Sequence, residues 1–384
     1  MKGPGDAVSF YRKALSRLSP EDREREGSRD IPYVYSLSAL SDFFFKTGKR
    51  QGWQRDDETS GKKTVVLAVS GGGDSMALLW LFRTFYDGKV VAAHLEHGIR
   101  GQDSLSDARF VEEMAARWGL DAEIQHLDVP MSLRKGESLE AGARRLRYAF
   151  LESVAEARGA FGVALGHNRD DVAETVLFNL LRGSGVRGVT GMPERRGIFF
   201  RPLLSCSRAF LRALLSHRRV PWREDLSNSD NDCTRNFIRN ELLPLLTEKI
   251  NAKASDHLVA FAEEMRYYRE EEEVRGAALL EAARINERID DSEPHVTEEG
   301  LNGMRSVDRE KLRALSPWER AVLVREAGRR LEIPTLSRER SKKLACLIEG
   351  RGQFEFQWGE GVSVLGSKDR ISWAKVGTNG KNSD

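Results

Sequence analysis

From Thr64 onwards, short apolar runs alternate with longer amphipathic runs, and this alternation constrains the fold more than any other feature. The runs typical of strands are TVVLAV, VVAAHL, AEIQHLDVP and GVALGH, and the stretches between them have the length of helices that end at glycine. Strands that alternate with helices predict a parallel sheet covered on both faces. We therefore predict an α/β fold with a doubly wound parallel sheet, whose ligands bind beyond the carboxyl ends of the strands.

The same pattern divides the 384 residues into three regions. Residues 1–62 are predicted to form an N-terminal extension and linker, with one short helix in YSLSALSDFFFKTGK. Residues 63–250 contain the alternation and are predicted to form the main α/β domain. Residues 251–384 are predicted to form a smaller unit, mainly helical, that ends in the β segments GQFEFQW, GVSVLG and DRISWAK.

Composition excludes several classes of protein. The chain has three cysteines and no CxxC pair, which excludes a disulfide framework and argues against a thiolate zinc site or an iron–sulfur cluster. The most apolar window, residues 64–82, contains a glycine loop and an aspartate, so no membrane span is predicted. The first residues are charged and show no signal peptide, and we therefore expect a cytoplasmic protein.

A glycine-rich loop, SGGGDS, follows the first predicted strand and consists of Ser70, Gly71, Gly72, Gly73, Asp74 and Ser75. Backbone N–H groups in such a loop, together with the helix N-terminus behind it, favour phosphate, although an ordinary tight turn is the alternative. The loop is not a Walker A motif, because Met76 follows where that motif has lysine. A carboxylate beside phosphates requires a bridging cation, so Asp74 predicts a magnesium pyrophosphate and cleavage of ATP between its α- and β-phosphates.

A second polar motif, GHNRDDVAET, follows the strand GVAL and contains His167, Asp170, Asp171 and Glu174. Asp171 and Glu174 lie three residues apart and therefore share one face of a predicted helix near its N-terminus. Acidic residues are common there simply because of the helix dipole. The functional alternative is a cationic ligand held by the two carboxylates.

Positive charge is concentrated between Arg182 and Arg223. These 42 residues contain ten arginines, no lysine and one acid, Glu194, so their charge is +9 against +2 for the whole chain. Such segregation is typical of a surface that binds nucleic-acid phosphates, since solvated surface runs usually mix both signs. We predict RNA contacts from arginines in and around this stretch: Arg144, Arg147, Arg182, Arg187, Arg195, Arg201, Arg235 and Arg239.

The loop SGGGDS resembles the signature of the PP-loop, or N-type, ATP pyrophosphatases, which implies ATP, Mg²⁺ and an adenylated intermediate. Further stretches, namely HLEHGIR, ARRLRYAFL, GHNRDDVAET, RPLL and DLSNSDNDCTRNFIRNELLP, together resemble the tRNA(Ile)-lysidine synthetase family over residues 64–250. That resemblance implies ligation of free L-lysine to C2 of the wobble cytidine in the CAU anticodon of tRNA(Ile). The C2 oxygen is adenylated first, and the products are lysidine, AMP and pyrophosphate.

The resemblance also implies roles for individual residues. Asp74 is expected to hold the metal and act in catalysis, and His167 to act near the adenylation centre. Asp171 and Glu174 are expected to bind lysine and to be catalytic. The ATP site is expected to comprise the six loop residues together with His97 and Arg100.

Other interpretations stay open. One is a different PP-loop enzyme that modifies tRNA by 2-thiolation, although such enzymes generally need cysteines, and another is a catalytically silent tRNA-binding protein. GSGVRG at 183–188 matches GxGxxG but follows a helix, so no nicotinamide is expected, and His94 with His97 lacks a third zinc ligand. We expect Trp222, Phe237 and the apolar residues of 176–181 to be core. The sequence leaves the oligomeric state open, a homodimer included.

Overall fold

The computed structural model describes residues 17–18, 37–52, 63–98, 102–224, 234–284, 306–334, 336–359 and 361–375. Contacts divide the chain into two compact units, Met1–Glu263 and Glu264–Asp384. The boundaries of our three predicted regions, at residues 62 and 250, stay predictions. No described helix combines the length and the apolar character needed to cross a bilayer.

A six-stranded sheet organises the first unit, with the strand order β3-β2-β1-β4-β6-β5. The strands are β1 (Thr64–Ala68), β2 (Lys89–Glu96), β3 (Asp121–His126), β4 (Ala160–Ala164), β5 (Arg195–Arg196) and β6 (Phe199–Phe200). The first four and β6 run parallel, and only the short edge strand β5 is antiparallel to its neighbour. The predicted doubly wound α/β fold is confirmed, and β1, at the centre of the sheet, is followed by the glycine loop.

Helices cover both faces of this sheet. The helices that contribute to its two cores are α1 (Leu37–Gln51), α2 (Gly73–Phe85), α3 (Gln102–Arg117), α4 (Leu139–Ala157) and α6 (Arg208–His217). The other helices as far as residue 283 are α5 (Arg169–Leu181), α7 (Thr234–Phe237), a π-helical turn (Ile238–Leu242), α8 (Leu243–Lys249) and α9 (Ala254–Ala283), which extends into the second unit. One apolar core joins the sheet to α2 and α6, and a second joins its other face to α4. The two cores explain why the strands are apolar on both faces.

The N-terminal helix α1 is an integral part of the first core. Leu40 and Phe44 are 1% exposed, and the Phe44 ring lies 5.0 Å from the ring of Phe82 in α2, in an edge-on arrangement. The predicted helix in this region is therefore confirmed. However, the surrounding residues were predicted to form only an extension and linker, and the apolar face of α1 instead buries against the sheet domain.

The second unit is a small antiparallel sheet with helices. Its strands are β7 (Ser306–Asp308), β8 (Phe354–Gly359), β9 (Val362–Gly366) and β10 (Arg370–Lys375), in the order β7-β10-β9-β8, and its helices are α10 (Arg309–Ala314), α11 (Pro317–Arg330) and α12 (Arg338–Glu349). The fully buried Arg309 donates hydrogen bonds to the carbonyls of Leu347 (2.7 Å), Ile348 (3.1 Å) and Gly350 (2.6 Å) at the end of α12. These bonds satisfy carbonyls that a helix end otherwise leaves without partners.

Three residues expected in the core are exposed. Leu180 and Leu181 at the end of α5 are 47% and 65% exposed, and Phe237 is 42% exposed. The apolar pattern of α5 is buried only as far as Leu177, where Val176 and its neighbours form a third core with Ile238, Leu243 and Val259. Trp222, by contrast, packs partly buried against the first core, as expected.

Candidate active site

The glycine loop has a fixed conformation built from its own serines. The Ser75 hydroxyl donates to the Gly72 carbonyl (2.9 Å) and accepts from the Ser70 N–H (3.1 Å). Gly71 has φ of +86°, which a residue with a side chain rarely adopts. The Gly71 carbonyl accepts a hydrogen bond from the N–H of Arg223 (3.0 Å), and this bond ties the loop to the segment after α6. The loop therefore presents the first-turn N–H groups of α2, which have no acceptor within the helix.

The two sequence motifs meet in space. A Cβ at Gly166 would lie 3.3 Å from the backbone of Ser75, so the loop after β4 approaches the start of α2 at van der Waals distance. Beyond Gly166, Asn168 begins α5 with a capping box: its side chain accepts from the N–H of Asp171 (3.0 Å), and the Asp171 carboxylate accepts from the N–H of Asn168 (2.9 Å). This cap fixes Asp171 and places it on the same side as Asp74.

Three arginines surround the acidic pair of α5. Arg239 donates to Asp171 at 2.8 Å and to Glu174 at 2.7 and 2.9 Å. Arg235 lies 3.3 Å from Glu174 and 3.6 Å from Asp171, and Arg208 lies 3.1 and 3.4 Å from the same two acids. Asp171 and Glu174 are 6% and 1% exposed. The buried pair is therefore neutralised by guanidinium groups in this state.

Arg208 connects the acidic pair to the glycine loop. It is the first residue of α6, and its N–H donates to the Asp170 carboxylate at 2.7 Å. Its Nε lies 3.8 Å from the Asp74 carboxylate, while its Nη2 contacts Asp171 and Glu174. The sequence analysis missed this residue. A signal existed in the serine that caps α6 just before it, but the contacts span 34 or more residues of sequence, which spacing cannot predict.

The two acids of α5 have opposite pKa shifts. Burial, and then the neighbouring charge of Glu174, raise the pKa of Asp171. Burial also acts to raise the pKa of Glu174, but the hydrogen bonds and charge of Arg239 outweigh it, so this pKa is lowered. Two carboxylates that share a site commonly separate in this way. Asp171 is therefore the better proton acceptor of the two.

Asp74 has the character expected of a metal-binding carboxylate. Its Oδ1 atom is buried and has no hydrogen-bond partner among the residues that the structure describes. Burial raises the pKa of Asp74, and the charge of Arg208 opposes that effect. The described residues contain no group of three His, Cys, Asp or Glu side chains that could hold a metal. A single carboxylate with phosphate oxygens and water is, however, a common magnesium environment, and the free oxygen of Asp74 fits it.

A histidine and further arginines line the other side of this region. Burial, and then the charges of Arg201, Arg235, Arg144 and Arg147, lower the pKa of His167 to about 3. Its Nδ1 atom is buried without a hydrogen-bond partner in the described part of the chain. His167 is therefore neutral at physiological pH. A second predicted residue, His97, accepts a hydrogen bond at Nε2 from Arg147 (3.2 Å).

The remaining predicted residues are spread over the surface or cannot be placed. Arg100 lies outside the described residues. Arg182 is exposed and lies over the ring of Phe178 (5.0 Å), whereas Arg195 is exposed and donates to the carbonyl of Gln51 (3.0 Å). Arg187 is half-buried beside the 3₁₀ turn Val186–Val189. The predicted RNA-binding arginines thus fall into several environments, and their RNA contacts stay a prediction.

Comparison with known proteins agrees with this geometry. The model of the PP-loop domain family matches residues 47–246. The tRNA(Ile)-lysidine synthase of Thermus thermophilus is 45% identical over 203 residues, which cover 53% of this chain and 39% of that protein. The tRNA(Ile)-lysidine synthase of Chlorobaculum tepidum is 37% identical over 243 residues, which cover 62% of this chain and 73% of that protein.

Among solved structures, the U34-tRNA thiolase NcsA from Methanococcus maripaludis, with its [4Fe-4S] cluster, aligns with a TM-score of 0.44 and 17% identity, covering 58% of this chain and 80% of that one. The chain spans about two fifths of the length of the Thermus relative. The region matched by the family model contains both SGGGDS and GHNRDDVAET. From its PP-loop domain and these relatives, we conclude that the chain belongs to the tRNA(Ile)-lysidine synthase family.

Proposed function

We propose that this protein uses ATP to ligate free L-lysine to C2 of the wobble cytidine in the CAU anticodon of tRNA(Ile). Family membership supports this proposal, and one structural observation carries it: the glycine loop and the acidic pair of α5 meet at Gly166, and Arg208 contacts both Asp74 and the pair. A nucleotide in the loop and an amino acid at the pair would therefore lie close enough to react with one base.

We assign the phosphates of ATP to the loop. The first-turn N–H groups of α2 and the helix dipole favour the β- and γ-phosphates, which leave together as pyrophosphate. Asp74 would hold Mg²⁺ through its unpartnered Oδ1 atom. Bound there, Mg²⁺ would supply positive charge beside the phosphates. The cytidine C2 oxygen would attack the α-phosphorus, and the bond to the β-phosphate oxygen would break so that pyrophosphate leaves. His97, at the end of β2, is assigned to the same nucleotide site.

We assign lysine to Asp171 and Glu174. In this state three guanidinium groups occupy the pair, so a lysine ammonium must replace at least one of them. Free lysine amine has a pKa of about 10.4, so it must lose a proton before it can attack. The amine lone pair then forms the bond to C2 while the bond from C2 to the adenylated oxygen breaks and AMP leaves. Asp171, with the higher pKa of the pair, would accept the proton.

The test is incubation of the full chain with a tRNA(Ile) transcript that has a CAU anticodon, ATP, Mg²⁺ and labelled lysine. We expect label in the RNA, with one AMP and one pyrophosphate released for each lysine. A transcript with uridine at the wobble position is the matched control and should stay unlabelled. The proposal fails if the RNA stays unlabelled, or if sulfur from a labelled donor enters instead.

A further inference from the structure

Three arginines beside His167 differ in their hydrogen-bond partners from the arginines that bind the acidic pair of α5. Arg144, Arg147 and Arg201 have no carboxylate within ion-pair distance in the part of the chain that the structure describes. Their partners are neutral: Arg144 donates to the hydroxyl of Tyr148 (3.3 Å), Arg147 to His97, and Arg201 to the carbonyl of Pro193 (2.8 Å). All three charges are nevertheless close enough to His167 to depress its pKa. Among the described residues, no carboxylate pairs with any of these three guanidinium groups.

Of the three arginines, Arg201 gives the strongest evidence for an anion-binding site. It is 5% exposed, and its Nε atom is buried without a hydrogen-bond partner in the described residues. Burial lowers its pKa, which reflects the cost of an unpaired charge away from water. A buried charge normally has a partner, because leaving it alone is expensive. The arrangement is explained if the partner is an anion that arrives with a substrate.

The backbone of Arg201 is held in place from two sides. Its N–H donates to the carbonyl of Glu194 (2.8 Å), and its carbonyl accepts from the Gln51 side chain at the end of α1 (3.0 Å). Arg195 returns a hydrogen bond to the Gln51 carbonyl. Arg201 is thus fixed before any ligand binds, which is the condition for a preorganised site.

Arg144 and Arg147 complete the site from α4. Both side chains are exposed, and Arg144 also lies over the ring of Tyr148, 5.0 Å from its centroid. The Tyr148 ring in turn contacts Phe199 of β6. Two exposed arginines of α4 and one buried arginine directly after β6 therefore converge beside His167.

We propose that Arg144, Arg147 and Arg201 form a binding site for one RNA backbone phosphate next to the target cytidine. This inference rests on the proposed function. A base that enters an active site must leave its stack, and fixed contacts to the adjoining phosphate hold the nucleotide in that position. Guanidinium groups suit this role, because they bind a phosphate with two parallel hydrogen bonds. Arg208, Arg235 and Arg239 differ in function, since the acidic pair already compensates their charge.

The test combines substitutions in the protein with substitutions in the RNA. The full chain is titrated with a synthetic anticodon stem-loop, in which each phosphate flanking the wobble cytidine is replaced in turn by an uncharged methylphosphonate. The protein variants are Arg201→Gln and Arg147→Gln, and the second alters an exposed side chain that also contacts His97, so ATP binding is measured for both variants. Arg117→Gln, at the exposed end of α3, is the control with the same change of charge.

For the wild-type protein, we expect one of the two methylphosphonates to weaken binding about tenfold, the usual effect of losing a charged hydrogen bond. Arg201→Gln and Arg147→Gln should bind the stem-loop with this methylphosphonate almost as tightly as they bind the unmodified stem-loop. Arg117→Gln should instead lose about tenfold in affinity on the same RNA substitution, as the wild-type protein does. The salt dependence of binding should also fall by about 0.7 in log–log slope for each lost phosphate contact.

Two results would overturn the inference while leaving the proposed function intact. One is that the arginine substitution and the methylphosphonate each weaken binding of the stem-loop, and that their effects on the free energy of binding simply add. The other is weaker ATP binding in the arginine variants with unchanged RNA affinity, which would assign the site to the α-phosphate of the nucleotide. A wild-type protein that binds no stem-loop at all would instead contradict the proposed function together with this site.

Discussion

Two glutamates in this protein are almost completely buried and bound by arginines, yet their surroundings differ. Glu174 and Glu326 are both 1% exposed. The arginines of Glu326, Arg329 and Arg330, lie three and four residues further along the same helix, α11. The arginines of Glu174 come from α6 and from the helical turns after residue 234, and the contacts span 34 to 65 residues of sequence.

The contrast separates a structural ion pair from the pair of acids that we propose as the lysine site. Glu326 binds two arginines of its own helix, one of which, Arg330, also contacts Glu281 of α9. Glu174 has a second acid, Asp171, beside it, and Arg208 connects the pair to Asp74 on the glycine loop. Burial and arginine contacts alone therefore do not distinguish the two cases. The distinction lies in what else the arginines contact.

The largest expected effect follows from removing the charge of Glu174. Glu174→Gln should lower kcat/KM for lysine transfer to tRNA roughly 100-fold, because a lysine ammonium loses its charged partner in a buried site. Steady-state assays with labelled lysine measure this, and Asp171→Asn should act in the same direction. The matched control is Glu326→Gln, which should leave kcat/KM unchanged. If Glu174→Gln and Glu326→Gln lost kcat/KM equally, the two glutamates would not differ in function as we propose.

A smaller effect is expected at Arg208. Arg208→Gln removes the connection between Asp74 and the acidic pair, and we expect a loss of about tenfold in kcat/KM for tRNA, since one charged hydrogen bond has roughly this value. Arg330→Gln removes a comparable partner from Glu326 and should leave turnover unaffected. An Arg208→Gln variant with full activity would show that the bridge has no functional role.

Glu326→Gln should reduce stability rather than activity. Arg329 and Arg330 keep access to water, with side chains 51% and 32% exposed, so their charges are not stranded when Glu326 is lost. We expect the free energy of unfolding to fall by about 1–2 kcal/mol. Thermal denaturation should show this as a decrease in Tm of a few degrees. An unchanged Tm would mean that these ion pairs do not stabilise α11.

The last effect concerns the pH dependence of stability. The pKa of His167 is about 3 in the folded protein, below the usual value of about 6.5, so the unfolded chain takes up a proton that the folded protein does not. The contribution of His167 is therefore fully present above pH 6.5 and is lost as the pH falls towards 3. In His167→Gln, the decrease in Tm between pH 6.5 and 4.5 should be smaller than in the wild-type protein. An identical decrease would contradict a neutral, buried His167.

Much of the architecture could be predicted from the sequence. The four central strands, the helices between them and the β segment at the C-terminal end follow from apolar periodicity and glycine stops, and the structure contains them. SGGGDS and the spacing of Asp171 and Glu174 also predicted that a phosphate loop and an acidic pair lie at the same edge of the sheet. These features are local, so a short window of sequence determines them.

Long-range contacts could not be predicted in this way. The count of arginines from residue 182 to 223 treated Arg201 and Arg208 alike. In the described part of the chain, however, Arg201 lies beside His167 and binds no acid, whereas the Arg208 side chain contacts three acids. Arg235 and Arg239 were predicted to contact RNA, and in this state they bind the acidic pair. Which partner an arginine finds depends on elements far apart in the chain.

The central claim is that the glycine loop serves adenylation, whereas the acidic pair serves lysine. Single-turnover reactions with α-labelled ATP and tRNA separate these steps, first without lysine and then after its addition. We expect Glu174→Gln to release pyrophosphate and accumulate adenylated tRNA at close to the wild-type rate, and then to consume that intermediate far more slowly. A Glu174→Gln variant that folds normally but loses adenylation as severely as lysine transfer would contradict the account.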